Sequence, residues 1–487
     1  MPAPSPLAGF HPAARRWFEG AFAAPTEAQR LAWPAIARGE NVLLLAPTGS
    51  GKTLAAFFTA IDRLLFAPAA AGGGTRLLYI SPLKALAADV ERNLRRPLAG
   101  VRQAAGEMDA PLRPLEIAIR SGDTPAAERN RLRREPPEIL ITTPESLFLL
   151  LTTRAREALA RVETVILDEI HALVGTKRGA HLALSLERLE NLRRTRTREE
   201  PPPLQRIGLS ATQRPLEEVA RLLGGAEATA EEFEPVRPRP VTIVDAGRRK
   251  PLELRVELPW AEQAVAEQPP RQANKAPAAK QPSTWDAIHP RLVELIAAHR
   301  STMIFVNSRR LAERLAAAIN EAAGSEIARA HHGSVARDTR REIEERLKAG
   351  ELPAIVATSS LELGIDMGAV DLVIQVEAPP TIAAGLQRIG RAGHSVGAAS
   401  RGVLIPKFRH DLLATAAAIE PMRTGEVEAT YYPRNPLDCL AQQLVAMAAL
   451  EPVSVEEAFA TVRRAAPFAE LSRGLFERTL DLLSGRY

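Results

Sequence analysis

Two textures alternate along this chain. Short, unbroken runs of Val, Ile and Leu are followed by longer stretches whose apolar side chains return every three or four positions. Runs without in-and-out alternation are what strands buried on both faces look like, and the longer stretches have the period of helices packed by one side. In the first half the runs are NVLLLA (41–46), RLLYISP (76–82), LEIAIR (115–120), EILITT (138–143), TVILDE (164–169) and QRIGLS (205–210). The series resumes after residue 300 with TMIFVN (302–307), ARAHHG (328–333), PAIVAT (353–358), DLVIQV (371–376) and GVLIP (402–406). This alternation predicts βα units and parallel sheets, hence two α/β domains in tandem.

The two series are separated by EQAVAEQPPRQANKAPAAKQPST (262–284), in which Val265 is the only sizeable apolar side chain. Such a segment buries too little to offset the entropy of ordering it, and reads as a disordered linker or surface loop. After residue 430 three helical-period segments (437–450, 454–465 and 474–484) follow with no β-run between them. The predicted organisation is a first α/β domain over 1–240, a connecting segment over 241–284 that holds the linker, a second α/β domain over 285–428, and a helical module over 429–487. A prior of one domain per ~150 residues agrees with it.

Composition narrows the class only a little. The apolar share of 46% and charged share of 25% are those of a globular protein, and a net charge of +5 permits a nucleic-acid partner without requiring one. One cysteine, Cys439, excludes a disulfide framework, a cysteine zinc site and an iron–sulfur cluster within the chain, and fits a reducing cytoplasm. No uncharged apolar run reaches the ~18–20 residues that span a bilayer, so no membrane role is expected.

Chemistry enters at APTGSGKT (46–53), where a strand runs into glycines and then a helix. Thr48, Gly49, Ser50 and Gly51 can turn backbone N–H groups onto a phosphate. Lys52 can reach the outer phosphates, Thr53 can ligate Mg²⁺, and the helix N-terminus adds its dipole. Ala46 replaces the glycine usual at the first position of this motif. Downstream, TVILDEIH ends a strand in Asp168 and Glu169. Beside a phosphate loop, Asp168 is suited to hold Mg²⁺ through water and Glu169 to polarise an attacking water. A strand that merely ends in acids is the plainer alternative. His171 reads either as a hydrogen-bonded loop residue or as a coupling group. The cluster RNRLRRE (129–135) reads as a nucleic-acid patch or as a solvated helix face with paired charges. In QRIGRAGHSVG (387–397), the three-residue spacing of Arg388, Arg391 and His394 predicts one helix face carrying all three.

APTGSGKT, DEIH (168–171), SAT (210–212) and QRIGRAGH (387–394), in this order, resemble the superfamily 2 helicases. The likeness is closer still to the large helicase-related (Lhr) family. PTEAQ (25–29), SPLKALAAD (81–89), TTPESL (142–147), GTKRGAHL (175–182), FVNSRRLAERLA (305–316), HHGS (331–334) and ATSSLELGIDMGAVD (357–371) carry it over nearly the whole chain. The resemblance implies two RecA-like (P-loop NTPase) domains with parallel sheets, followed by the all-α start of a winged-helix domain. It implies that Gln29 reads adenine, and that Lys84, Thr143, Pro144 and Arg178 line one strand-tracking surface. Ser308, Arg309, His332, Gly333, Thr358 and Ser359 would line a second. Gly364 and Asp366 would approach the ribose, Gln387 would position the attacking water or a phosphate, and Arg388 and Arg391 would act as arginine fingers. Ser210 and Thr212 would couple hydrolysis to movement. For each single Ser or Thr, a helix cap or turn remains the alternative.

The function implied is ATP-driven, Mg²⁺-dependent translocation along single-stranded DNA. The polarity would be 3′-to-5′, with a duplex or RNA:DNA hybrid displaced ahead and a role in DNA repair. Sequence-independent tracking uses phosphate and sugar contacts, so the modest net charge is no objection. Two other readings stand beside it: an ATPase that binds nucleic acid without unwinding, and an RNA-remodelling helicase, against which Ile170-His171 and His394 depart from the DEAD-box pattern. His394 takes the place of a third arginine, either orienting its neighbours or titrating near neutrality. The β-wing of a winged helix is not visible after the three helical segments. The chain is therefore expected to be truncated within that domain, exposing Leu475, Phe476, Leu480, Leu482 and Leu483.

Overall fold

The computed structural model describes the chain except residues 1–4, 48, 67–72, 198–199, 228–235, 248–250, 262–282, 364–369, 394–398 and 486–487. Two units emerge, residues 1–247 together with 429–487, and residues 248–428.

The first unit is built on a seven-stranded parallel sheet in the order β3-β4-β2-β5-β6-β1-β9. Its strands are β1 (Val42–Leu45), β2 (Leu77–Ile80), β3 (Ile117–Arg120), β4 (Ile139–Thr142), β5 (Thr164–Leu167), β6 (Gln205–Ser210) and β9 (Thr242–Asp245). β7 (Ala226–Glu227) and β8 (Arg237–Pro238) form a separate antiparallel pair. Every residue of β1, β2, β4, β5 and β6 is buried, the physical reason these strands read as unbroken apolar runs. One face is covered by α1 (Pro12–Ala21), α2 (Glu27–Ala37), α3 (Lys52–Phe66) and α4 (Lys84–Glu107). The other is covered by α6 (Pro144–Leu151), α8 (Lys177–Arg196) and α9 (Leu216–Gly224). Short α5 (Ala126–Arg134) and α7 (His171–Val174) complete the connections.

The second unit has a six-stranded parallel sheet in the order β10-β15-β14-β11-β13-β12. The strands are β10 (Leu252–Val256), β11 (Thr302–Phe305), β12 (Ala328–His331), β13 (Ala354–Ala357), β14 (Leu372–Val376) and β15 (Ser400–Ile405). Its helices are α10 (Thr284–Ala297), α11 (Arg309–Ala323), α12 (Arg337–Ala349), α13 (Ile382–Ile389) and α14 (Arg409–Thr424).

Three expectations change. The first sheet does not stop at residue 240: β9 pairs in parallel with β1, Val42 opposite Thr242. β10 pairs likewise with β15, so the supposed connection from 241 supplies an edge strand to each sheet. Ser283 and Thr284, expected at the end of the linker, begin α10 with a Ser283–Asp286 capping box; the rest of that linker, 262–282, lies outside the described residues. The third change concerns the C-terminal helices α15 (Leu437–Ala448), α16 (Val455–Arg464) and α17 (Arg473–Ser484). Phe476 is fully buried against Phe459, and Leu475 and Leu480 pack on the same core; only Leu482 and Leu483 stay exposed. The partner that sequence reasoning lacked is α8, whose residues Leu182 to Glu190 are all buried because α15 and α16 cover the side turned away from the sheet.

Candidate nucleotide site and nucleic-acid interface

Strands β1, β6 and β5 are neighbours, so the loops leaving their carboxyl ends come together. Those loops carry the phosphate-loop sequence, Ser210-Ala211-Thr212 and Asp168–His171. The parallel register continues past the strands: the Ala46 N–H donates to the Ser210 carbonyl at 3.1 Å and the Ile170 N–H to Leu209 at 3.0 Å. In the loop, Gly49 and Gly51 adopt φ of 80° and 78°, a conformation that favours glycine and folds the backbone into a concave turn. Ser50 presents a buried hydroxyl with no hydrogen-bond partner among the described residues. Lys52 and Thr53 open α3, whose N-terminus faces the same loop. A concave turn, an unmatched hydroxyl and a helix N-terminus fit a phosphate group. Thr48 lies outside the described residues.

Lys52, Asp168 and Glu169 are all buried. Lys52 Nζ stands 3.0 Å from Glu169 Oε1. The Asp168 carboxylate accepts from the Glu169 N–H at 2.9 Å and from the Tyr79 hydroxyl. Burial and the adjacent Glu169 charge push the Asp168 carboxyl up to about 6, against the pull of Lys52. Burial, with the Asp168 charge beside it, pushes the Tyr79 hydroxyl well above its ordinary value. Glu169 has φ of 45°, a left-handed backbone that costs a β-carbon residue ~1–3 kcal/mol and that persists only where the surroundings enforce it. The donor set, an acid at a strand end with Thr53 at a helix start, is the kind that holds Mg²⁺.

His171 links this group to the next loop. Its Nδ1 accepts the Ala211 N–H at 3.1 Å and lies 3.4 Å from Glu169 Oε2. Lys52, Glu169, His171 and Ala211 thus form one continuous line of contacts. Ser210 is buried, with its hydroxyl on the Ala211 carbonyl at 2.8 Å, and Thr212 is exposed. Gln29 is buried as part of a capping box: its Oε1 accepts the Thr26 N–H at 2.9 Å, while a Cβ on Gly51 would meet Gln29 Nε2 at 2.8 Å. It touches the phosphate loop, with its carbonyl spent on a cap.

At the same edge of the first sheet, Lys84 begins α4 and pairs with Asp123 at 2.5 Å. Thr143 and Pro144 are buried as the N-cap and first residue of α6, the Thr143 hydroxyl accepting the Ser146 N–H. Arg178, in the first turn of α8, grips Glu145 of α6 with two nitrogens, one at 3.0 Å. The Arg131 guanidinium of α5 is paired with Glu128 and Glu116, at 2.8 and 2.9 Å, which supports the solvated-face reading of RNRLRRE.

The second unit repeats the arrangement. Ser308 caps α11, and Arg309 donates to the Ser334 hydroxyl at 2.8 Å. His332 is buried between Glu313, 2.7 Å away, and the Ser334 N–H, with Gly333 exposed beside it. Thr358 is buried at the end of β13, and Ser359 is exposed. These residues follow β11, β12 and β13, so they share the carboxyl edge of that sheet.

QRIGRAGH departs from expectation. Helix α13 ends at Ile389 with Gly390 as its C-cap, so Arg388 and Arg391 do not share a helix face. Arg388 is almost fully buried. It donates to Glu362, 2.7 Å through Nε, to Gln375 Oε1 at 2.8 Å and to Asn307 Oδ1 at 3.0 Å, and lies over the Phe305 ring. Each nitrogen of its guanidinium that donates does so inside the second unit, to Glu362, Gln375 and Asn307. Arg391, half-buried, donates to the Glu362 carbonyl at 2.6 Å, and Gln387 is likewise half-buried. Gly364, Asp366 and His394 lie outside the described residues.

Tyr79, Glu145, Glu313 and Glu362 were missed by sequence reasoning. For Tyr79 a signal existed: a lone hydroxyl in the unbroken run RLLYI must meet a polar partner once buried. The three glutamates lie within TTPESL, FVNSRRLAERLA and ATSSLELGIDMGAVD, which were read for their neighbouring residues and not for these acids.

Comparison with known proteins follows this map. Residues 26–220 match the DEAD/DEAH box helicase family, 288–395 the helicase conserved C-terminal domain, and 420–487 the winged helix domain of the large helicase-related protein. The chain is 51% identical to the Lhr helicase/probable uracil glycosylase of Mycolicibacterium smegmatis, over 99% of this chain and 32% of that protein. It is 41% identical to the ATP-dependent helicase Lhr-Core protein 2 of Thermococcus barophilus, over 97% of this chain and 52% of that one. It superposes on the solved structure of Mycobacterium smegmatis helicase Lhr bound to ssDNA and AMP-PNP with a TM-score of 0.86 and 52% identity, covering 98% of this chain and 58% of that one. The chain thus spans between a third and about a half of these relatives' length. With two RecA-like sheets, their motif loops in place and its C-terminal region matching that winged helix, the chain belongs to the large helicase-related (Lhr) family of DEAD/DEAH-box helicases.

Proposed function

We propose that this chain is the motor of an ATP-dependent helicase that moves along single-stranded DNA. The observation that carries the reading is the unbroken line from Lys52 through Glu169 and His171 to the Ala211 N–H, which ties a phosphate loop to the Ser210–Thr212 loop. Gly49, Ser50, Gly51, Lys52 and Thr53 bind the phosphates, with Gln29 against the loop. Thr53 and Asp168 would hold Mg²⁺, which would supply charge neutralisation when bound. Glu169 takes up the proton of the attacking water, and its left-handed backbone keeps the carboxylate aimed at the loop. Approach of a phosphate draws Lys52 from Glu169 and frees that carboxylate as a base. Arg391 stabilises charge on the γ-phosphate and Gln387 positions the water or a phosphate.

Helix N-termini at Lys84, Thr143 and Arg178, and the loop residues Ser308, Arg309, His332, Gly333, Thr358 and Ser359, grip the strand by phosphate and sugar. His171, Ser210 and Thr212 pass the state of the nucleotide to that grip. The relative solved with ssDNA and AMP-PNP supports DNA as the loading strand. A 3′-to-5′ polarity, displacement of a duplex or RNA:DNA hybrid, and work in DNA repair in the cytoplasm complete the reading. The test is displacement of duplexes bearing 3′ or 5′ tails of DNA or RNA, with Glu169→Gln as control. Unwinding only from 3′ DNA tails, lost in Glu169→Gln, is expected. ATP turnover without displacement would favour the non-unwinding ATPase, and preference for RNA tails the RNA-remodelling alternative.

A further inference from the structure

A set of buried polar groups lies between α15 and α8. Gln443, on α15, has no exposed area, yet its carboxamide is fully engaged. Its Oε1 accepts from Arg188 at 2.7 Å, and its Nε2 donates to the His181 carbonyl at 3.1 Å and the Ser185 hydroxyl at 2.9 Å. His181, Ser185 and Arg188 all lie on α8. A buried amide with this many partners holds two helices in one register, because a slip of either leaves several polar groups unmatched at ~1–3 kcal/mol each.

Arg188 extends the contact to α6. Its other nitrogen donates to the carbonyls of Leu151 and Ala446, at 3.3 Å each. Leu151 closes α6 and Ala446 lies in the last turn of α15, so two helix C-termini supply the negative potential that a buried cation needs. Burial and Arg156 push Arg188 down to about 10. Farther along, Lys177 pairs with Asp438 at 2.7 Å, and the Cys439 thiol donates to the Lys177 carbonyl. The first turns of α8 are therefore clasped by α15. Those turns carry Arg178, and Arg178 grips Glu145 beside the Thr143 cap of α6.

We infer that α15 of the C-terminal module positions the strand-gripping surface of the first sheet, with Gln443 as the positioning residue that sets Arg178 and Thr143. The inference rests on the reading of Arg178 and Thr143 as strand contacts. It assigns the module a part in gripping DNA through the motor domain, whatever contacts of its own it makes.

The experiment measures binding of a fluorescent single-stranded oligonucleotide, and separately of a fluorescent ATP analogue, to the full chain and to Gln443→Met. That substitution keeps volume and removes every hydrogen bond. Binding of the oligonucleotide is expected to weaken about ten-fold, with nucleotide affinity unchanged. The slope of log affinity against log salt should fall by ~0.7, the share of one phosphate contact on a single strand. Gln443→Glu, which keeps the acceptor for Arg188, should recover most of the affinity, and is the variant read if Gln443→Met does not fold. A lower melting temperature with unchanged oligonucleotide affinity and salt slope, in whichever variant folds, would overturn the inference. Failure of the unsubstituted chain to bind the oligonucleotide would instead remove the strand-contact reading beneath it.

Discussion

Lys52 of the first unit and Arg388 of the second are both buried cations beside a glutamate, near the carboxyl ends of parallel strands. They are held in opposite ways. Lys52 reaches Glu169 across 3.0 Å, and Glu169 sits in a left-handed backbone beside Asp168, a carboxyl pushed up to about 6. Arg388 spends Nε and both terminal nitrogens on Glu362, Gln375 and Asn307, with an aromatic face below. The first arrangement carries strain and a displaced proton equilibrium, which reactive groups need. The second is saturated. Burial of a charge is common to both; the left-handed backbone and the raised carboxyl beside it are found only at the first of the two.

The largest effects should come from breaking the reactive side of this contrast. Arg391→Ala should bind ATP normally and lose ~10³-fold or more in nucleic-acid-stimulated turnover, as removal of an arginine finger does. Glu169→Gln should lose ~10²–10⁴-fold in the same steady-state assay with nucleotide affinity retained; full turnover in this variant would show that Glu169 is not the base. Next comes the saturated side. Arg388→Met strands Glu362 and Gln375 and should cost ~3–5 kcal/mol, read as faster hydrogen exchange in peptides over α13 and β14. Nucleotide affinity of the first unit should not move, and a loss of affinity with native exchange rates would return Arg388 to the nucleotide.

Phe476→Ala tests where the C-terminal helices belong. If they form one core with α8, denaturant melting should show a loss of ~3–5 kcal/mol, with faster exchange in α8 as well as α17. A change confined to α17 would separate the module from the first domain. The smallest effect concerns Asp62, which accepts the His11 N–H at 3.0 Å and whose carboxyl burial pushes up to about 6. Since the folded value lies above the unfolded one, this group's contribution to stability is greatest below pH ~4 and falls as pH rises toward 6. Asp62→Asn should thus raise the melting temperature at pH 7.5 by the equivalent of ~1 kcal/mol or less after solvent screening, and leave it unchanged near pH 4.

Much of this architecture is written locally. The strands read from apolar runs are those of the two sheets because a strand buried on both faces must be apolar at each position, as β1, β2 and β13 are. The strands missed from the two parallel sheets, β9 and β10, are edge strands with about half their side chains in solvent, so their runs are short and mixed. The phosphate-loop and DEIH residues were legible for a related reason. Their chemistry needs particular residue types at strand ends, and sequence records both. The pairing of Arg388 with Arg391 failed because a spacing rule assumes a continuing helix, and α13 stops at Ile389 with Gly390 as its C-cap.

What the sequence by itself determined is the set of strands, the loops that follow them, and the family those loops belong to, since each depends on neighbours along the chain. What only the tertiary structure decided is how distant segments spend one another's polar groups and apolar faces. It gave Arg388 to Glu362 and Gln375, Gln443 to α8, Tyr79 to Asp168, and Phe476 to a core it shares with Leu182 of α8, nearly three hundred residues earlier. Those choices follow from satisfying every buried donor and acceptor at once, a condition on the whole fold that no local pattern contains.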